Sequence, residues 1–356
     1  MVNTAITHAA SRLMPGGRTL AHLLNVNRYG RVRDTTFCVD EIGMVPLSTL
    51  VRVGAWQLVG ARFVLYGDFR GQFLPICDQW KGADIESSGI VQQLAGSLHV
   101  HLSTNRRAAG DDAHFRFYTG LYDSVGGPVP LEQARARYPL DREFCHIALV
   151  VSHRKRRELN QFYNECRDRR GGVLVKCAGG VRHHNALQNM WLRAGMRLLC
   201  CAKSHPALVN GVFYTVVSVD KREVVVRMDE DYRRDATTLS GKAAEKAKRQ
   251  EGEIALSHRD ASLGLRLSHA LCYASVQGLT ISEQHVLMLD VEHPHFDVRS
   301  LIVGLSRVRS ARQIHVATAE QERALMARTR PVPPPPKEVE AEAESDSDSD
   351  DESVDG

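Results

Sequence analysis

The sequence predicts an α/β protein with two parallel-sheet units, a small antiparallel insertion and a detached acidic tail. Three observations carry this. Short apolar runs at 36–39, 62–66, 146–151, 196–200, 286–289 and 314–317 alternate with amphipathic stretches such as 155–169, where Leu159, Phe162, Tyr163 and Cys166 recur three and four apart. Strand–helix alternation of this kind builds parallel sheets covered by helices. The segment 212–227 breaks the rhythm with two β-rich runs, FYTVVSV and EVVVRM, around Asp220-Lys221-Arg222, which is a hairpin pattern. At 356 residues, the chain also exceeds what one hydrophobic core sustains.

Composition narrows the classes further. Apolar residues make up 43% and charged residues 25%, which excludes a mostly disordered or collagen-like chain. No apolar run reaches the roughly 18 residues that a spanning helix needs, and Met1-Val2-Asn3-Thr4 lacks the charged-then-apolar layout of a secretory signal. The net charge of +4 hides a division. The last stretch, 338–356, holds ten acids and no Lys or Arg; removing those ten from 42 leaves 32 acids against 46 Lys and Arg, a balance of +14 for the body. A body that basic suits a polyanion such as nucleic acid, although solubility alone also accounts for it.

The eight cysteines (Cys38, Cys77, Cys145, Cys166, Cys177, Cys200, Cys201 and Cys272) form no C-x-x-C pair. They read as reduced thiols, most of them packed as small hydrophobes, in a nuclear or cytoplasmic compartment with no membrane partner. The close histidine pairs His183-His184 and His293-x-His295 lack Cys or carboxylate company at metal-ligand spacing. The run Pro331 to Pro336 (PVPPPP) is a stiff spacer, and the Ser/Asp-rich tail beyond it has too little apolar surface to fold. The charged stretch 242–251 reads as a solvated helix or loop.

Two strand ends carry the chemistry. FCVDEIGMV (37–45) ends an apolar strand in adjacent carboxylates, Asp40 and Glu41. At the carboxyl end of a parallel strand such groups reach the ligand crevice. There one carboxylate can hold Mg²⁺ beside a phosphate chain, and its neighbour can orient or deprotonate water. FVLYGDFRGQFLPI (63–76) ends a second strand in Gly67-Asp68, followed by Gln72, a residue placed to touch a γ-phosphate.

This pair resembles motifs II and III of the superfamily-one helicases, in the petite-integration-frequency (PIF) and RecD-like branch. Further segments resemble the other motifs in order: AITHAASRLMPGGRTLAHLL (5–24) motif Ia, LSTNRRAAGDDAHF (102–115) motif IV, LSHALCYASVQGLTI (267–281) motif V and LIVGLSRVRS (301–310) motif VI. Between them, IALVVSHRKRRELN (147–160) resembles the opening of the second motor domain. Likewise, 192–219 resembles the approach to an SH3-like β insertion. An ordered set is far more specific than any one string.

The resemblance implies two RecA-like domains that pinch ATP between them. The first, partial one spans 1–140. The second comprises 141–200 and 258–330, interrupted by the SH3-like insertion at 201–257, with the linker and tail at 331–356. It implies an ATP-dependent DNA helicase of DNA repair or recombination, with ATP and Mg²⁺ as cofactors and single-stranded DNA as partner. Asp40 would take Mg²⁺, Glu41 would position water, Gln72 would sense the γ-phosphate, and Arg107 and Arg307 would be arginine fingers. Gln277 and Gly278 would border the nucleotide. Thr7, His8, Thr19 and His22 would face the DNA strand from the first domain and Ser275 from the second.

Some features depart from the pattern. The phosphate loop G-x-x-x-x-G-K-[ST] (Walker A) occurs nowhere in the 356 residues. The expectation is therefore a truncated or split form that needs a separate or upstream P-loop segment, poorly stable alone because a central strand is missing. The alternative is an ATPase-inactive pseudo-helicase that holds single-stranded nucleic acid. A third role gives the acidic tail a partner. Gly71 inserts one residue between Asp68 and Gln72. Cys272 and Ala274 replace the Thr and His usual in motif V, and His22 is displaced by one position. Arg106 competes with Arg107 for the finger. The basic run His153 to Arg157 reads as nuclear targeting or as a basic helix start.

Overall fold

Four strands, Arg18–Thr19, Val2–Ala5, Thr36–Asp40 and Arg62–Leu65, pair in that order into the first sheet, all parallel. The structure is a computed structural model and describes residues 1–27, 32–74, 85–96, 98–104, 106–140, 145–178, 188–202, 205–232 and 252–329. The Pro-rich spacer, the acidic tail, the stretch 242–251 and His183-His184 lie outside them.

Thr36–Asp40 forms a strand because Phe37, Cys38 and Val39 are all buried, as a strand covered on both faces requires. Phe37 packs on Trp56 (4.9 Å between centroids) and Phe63 (5.6 Å). Trp56 comes from the helix Leu47–Leu58, whose Leu50, Val53 and Trp56 recur every three residues and line one face. Each such burial contributes about 1.5–3 kcal/mol.

The second sheet runs Ala270–Cys272, Ile147–Val150, Leu287–Leu289, Ile314–Val316, again all parallel. Its strands are near-continuous apolar runs, buried throughout. The helix His153–Arg167 crosses it, capped by Ser152, whose side chain accepts from the Lys155 amide, and buries Leu159 and Tyr163. A third sheet is antiparallel, in the order Glu253–Ser257, Glu223–Met228, Phe213–Val219, Arg197–Cys200, Leu265–Leu267. The expected hairpin is its centre; the Asp220 carboxylate accepts from the amides of Arg222 (2.6 Å) and Glu223 (2.9 Å) to close the turn.

Two expectations are corrected. The apolar run 196–200 is a strand, but it pairs with Phe213–Val219 and Leu265–Leu267, so the antiparallel sheet extends over 197–267 and not 201–257. A short apolar run looks the same in either kind of sheet, and pairing alone decides. The helices Asp112–Gly120 and Leu131–Arg137, expected in the first unit, pack in the second. Tyr118, Leu121, Ala134 and Tyr138 share a core with Leu149, Leu289 and Leu301. The Tyr138 carbonyl accepts from the Val316 amide at 2.8 Å. Amphipathic helices carry no mark of which sheet they cover. No helix among the described residues is long and apolar enough to cross a membrane.

Candidate nucleotide site

Asp40 ends its strand, and Glu41 turns sharply away with φ 56° and ψ 42°. A non-glycine residue in this left-handed region is strained and needs its surroundings to hold it. Three bonds do so: the Asp40 carboxylate accepts from the Glu41 amide (2.9 Å), the Tyr66 carbonyl from the Ile42 amide (2.9 Å), and the Glu41 carbonyl from the Met44 amide (2.9 Å). Gly67 lets the two strand ends meet, since a Cβ there would lie 2.7 Å from Ile42 Cγ2.

Gln72 donates through Nε2 to the Glu41 carboxylate. The extra residue before it is absorbed by a tight turn. Asp68 Oδ1 accepts from the amides of Arg70 (3.1 Å) and Gly71 (2.8 Å), and a side chain at position 71 would strike the Asp68 carboxylate. The other Asp68 oxygen accepts from the Tyr122 hydroxyl at 2.7 Å. Burial first, then Asp68, pushes the Tyr122 pKa up, so the phenol remains a donor.

The second lobe meets this corner directly. Gly278, at φ 78°, approaches so closely that a Cβ would sit 3.3 Å from Glu41 Oε1. Gln277 is buried and its Oε1 accepts from the Phe73 amide at 3.2 Å. Arg107 donates to Thr280 Oγ1 (3.1 Å) and to the Ser306 carbonyl (2.9 Å), while Arg106 stays exposed. Arg307 is buried and donates to the carbonyls of Val303 (3.1 Å) and Leu279 (3.2 Å) and to Ser306 Oγ (2.8 Å). Burial, then Arg107, lowers its pKa to about 10, which still leaves it charged at neutral pH.

Burial and the neighbouring Asp40 raise the pKa of Glu41, opposed by the charges of Arg307 and Arg107 and by the Gln72 bond. Burial likewise raises that of Asp40. Perturbed carboxylates beside cationic groups in a cleft mark a site poised for chemistry. A cavity of about 850 Å³ opens beside Arg107, lined by Arg106, Thr280, Glu283, Arg309 and Arg312. Four arginines against one acid give this cavity the charge to take an anion such as a phosphate chain; Arg107 is the member it shares with the corner around Glu41. Gln72 Oε1 and Gln277 Nε2 are buried polar atoms that lack partners. Among the described residues no cluster of three His, Cys, Asp or Glu stands ready to hold a metal ion, which leaves Asp40 as the single strand-end carboxylate beside Glu41.

The helix that Thr7 caps reaches this corner, since a Cβ on Gly278 would also lie 3.7 Å from Ala10 Cβ. Thr7 caps the helix His8–Arg12 by accepting from the Ala10 amide (3.1 Å), and Thr19 caps Leu20–Val26 by accepting from the His22 amide (3.2 Å). His8 and His22 are exposed, and Ser275 is half-buried in the short helix Tyr273–Val276. Cys272, in the motif V position, lies 3.2 Å from His153 Nδ1.

Sequence reasoning missed Arg299. Its Nη1 donates across the cleft to the carbonyls of Phe69 (2.8 Å), Arg70 (3.1 Å) and Gln72 (2.7 Å). The signal was present. Arg299 is the one charged residue in the helix Val298–Leu305, whose other seven residues are all buried.

No protein-family model and no curated protein matches the chain. Solved structures do. The Pif1 helicase from Candida albicans is similar at 16% identity and a TM-score of 0.58, over 92% of this chain and 87% of that one. A Bacteroides Pif1 bound to single-stranded DNA is similar at 17% identity and a TM-score of 0.54, over 88% and 82%. A Bacteroides Pif1 in complex with ADP-AlF3 and single-stranded DNA gives 16% and 0.52, over 89% and 82%. At such identities the likeness establishes the fold: two RecA-like parallel-sheet lobes with a β insertion.

Proposed function

We propose that the chain is the greater part of an ATP-driven helicase or translocase acting on single-stranded DNA. The observation that carries this reading is the convergence on Glu41 of Gln72 from its own lobe, Gly278 from the other, and the charges of Arg107 and Arg307. The fold shared with Pif1 structures that hold ADP-AlF3 and single-stranded DNA supports the same ligands here.

In this reading Glu41 orients and deprotonates the attacking water, its basicity sharpened by burial. Gln72 positions Glu41 and reports the γ-phosphate. Arg107 and Arg307 neutralise charge that builds on the transferring phosphoryl group. Asp40 would hold Mg²⁺, which supplies charge neutralisation between the phosphates when bound. Gln277 and Gly278 connect the nucleotide to the second lobe, so hydrolysis is linked to lobe motion. Thr7, His8, Thr19, His22 and Ser275 contact the DNA strand.

In this reading a phosphate loop that is not among the 356 residues would complete the site. The surface supports such a strand. Arg62–Leu65 is the edge of the first sheet, with Val64 40% exposed, and Leu98, Val100 and Leu102 alternate along an exposed segment 76–78% open to solvent. The absence of the G-x-x-x-x-G-K-[ST] string favours one second reading, a module that binds single-stranded DNA without turnover. ATP turnover with and without single-stranded DNA separates the two. The motor reading expects DNA-stimulated turnover once the phosphate loop is supplied, abolished by Glu41→Gln; no turnover in that complete protein rejects it.

A further inference from the structure

The loop that carries Gln72 is held from both lobes. Phe69 and Leu74 pack on the first core, while Phe73 packs on the second, beside Tyr122. The amides of Arg70 and Gly71 are taken by Asp68 Oδ1. The carbonyls of Phe69, Arg70 and Gln72 converge instead on one nitrogen of the second lobe, Nη1 of Arg299. That nitrogen carries two hydrogens, so three oxygens at 2.7–3.1 Å share them. The donor is charged, and such bonds are stronger than those between neutral groups.

One peptide unit in this loop is gripped at both ends. The Gln72 carbonyl accepts from Arg299 at 2.7 Å, and the amide of the same unit, that of Phe73, donates to Gln277 Oε1 at 3.2 Å. A peptide unit is planar, so bonding both its oxygen and its hydrogen fixes its rotation. The Gln72 side chain leaves from the Cα at the edge of that plane and donates to the Glu41 carboxylate. Both jaws, Arg299 and Gln277, come from the second lobe. The helix Val298–Leu305 carries Arg299 in its first turn and leads directly into Ser306 and Arg307, so whatever moves this helix moves both arginines.

We propose that Arg299 is a positioning residue of the nucleotide site: from the second lobe it holds the Gln72–Phe73 peptide, so that Gln72 lies on Glu41 only while the two lobes meet. Parting of the lobes releases the peptide, and the side chain of Gln72 leaves Glu41 with it. The kinetic consequence rests on the function proposed above; the grip itself is a property of this chain alone.

Hydrogen exchange across 68–73 in the full 356-residue chain, without nucleotide, tests the grip. Arg299→Met is expected to speed exchange of the Phe73 amide by about tenfold or more, the share of a charge-assisted hydrogen bond. Exchange in the helix His153–Arg167 stays as it was. Arg299→Lys keeps a single charged nitrogen, with three hydrogens for three carbonyls, and is expected to restore most of the protection. Unchanged exchange in Arg299→Met, or a lysine variant that exchanges as fast, overturns the proposal. If Arg299→Met does not fold, Arg299→Gln takes its place with the same two outcomes. In the protein complete in its phosphate loop, Arg299→Met is expected to lower kcat by about 10²-fold, as a small misplacement near the chemistry does, with KM for ATP within about twofold. Added to Gln72→Ala it costs little more, because it acts through Gln72. A full second loss in the double variant, or a change confined to KM, overturns the positioning role. If that protein turns over no ATP while the exchange results hold, the motor reading fails and the grip stands.

Discussion

The two parallel sheets differ in how they treat a buried acid. In the first lobe, burial and mutual repulsion leave Glu41 with a raised pKa even though Arg307, Arg107 and Gln72 pull it down. In the second, Asp168 is also buried, yet a hydrogen bond from His269, with help from Asn164 and Arg193, outweighs that burial and holds its pKa low. The satisfied acid is a structural fastener. The under-satisfied one stores the capacity to take a proton. The sheets differ in closure too: every residue of Ile147–Val150 is buried, whereas Arg62–Leu65 alternates exposed and half-buried positions.

The largest effect that tests this contrast is on turnover. In a protein complete in its phosphate loop, Arg307→Gln is expected to reduce ATP hydrolysis by about 10³-fold or more, measured as released phosphate, as loss of an arginine finger does. Glu41→Gln removes the base and costs about 10²–10⁴-fold while DNA binding persists. If Arg307→Gln keeps full turnover, the two lobes do not share one site.

Stability gives the next effect. Phe37→Ala empties the centre of the first core and is expected to cost about 3–5 kcal/mol in urea unfolding. Val64→Ala at the exposed edge should stay within about 0.5 kcal/mol. A large cost at Val64 would mean that the edge is already covered.

The smallest effect is pH-dependent and opposite in the two lobes. Glu41 binds a proton more readily folded than unfolded, so stability falls as pH rises from the ordinary 4.5 through its raised folded value. Glu41→Gln therefore stabilises at neutral pH and makes little difference in acid. Asp168 contributes stability above 3.8 that is lost as pH falls through its depressed folded value, so Asp168→Asn destabilises at neutral pH and converges on the wild type in acid. Melting the Glu41 variant at pH 4 and 7, and the Asp168 variant at pH 7 and in steps below 3.8, would reveal the two signs.

Several features of the site were readable in one dimension because they are local. An apolar strand ending in Asp40-Glu41 must present those acids at a sheet edge, whatever lies elsewhere. The hairpin about Asp220 closes through bonds to residues two and three positions away, so its sequence suffices. Arg299 stood out as the lone charge of an apolar helix, but its role was not readable, because its three acceptors lie more than 220 positions away in the chain. The same holds for 111–140, whose helices are amphipathic on either sheet.

Strand and helix periodicity, the acids at strand ends and the hairpin turn follow from interactions within a few residues, and these the linear order of side chains dictates. Which sheet Arg197–Cys200 joins, which lobe Tyr118 and Tyr138 serve, and how Glu41 comes to lie against Gly278 depend on contacts between distant segments. Those contacts are selected by the packing free energy of the whole molecule, to which no local stretch has access.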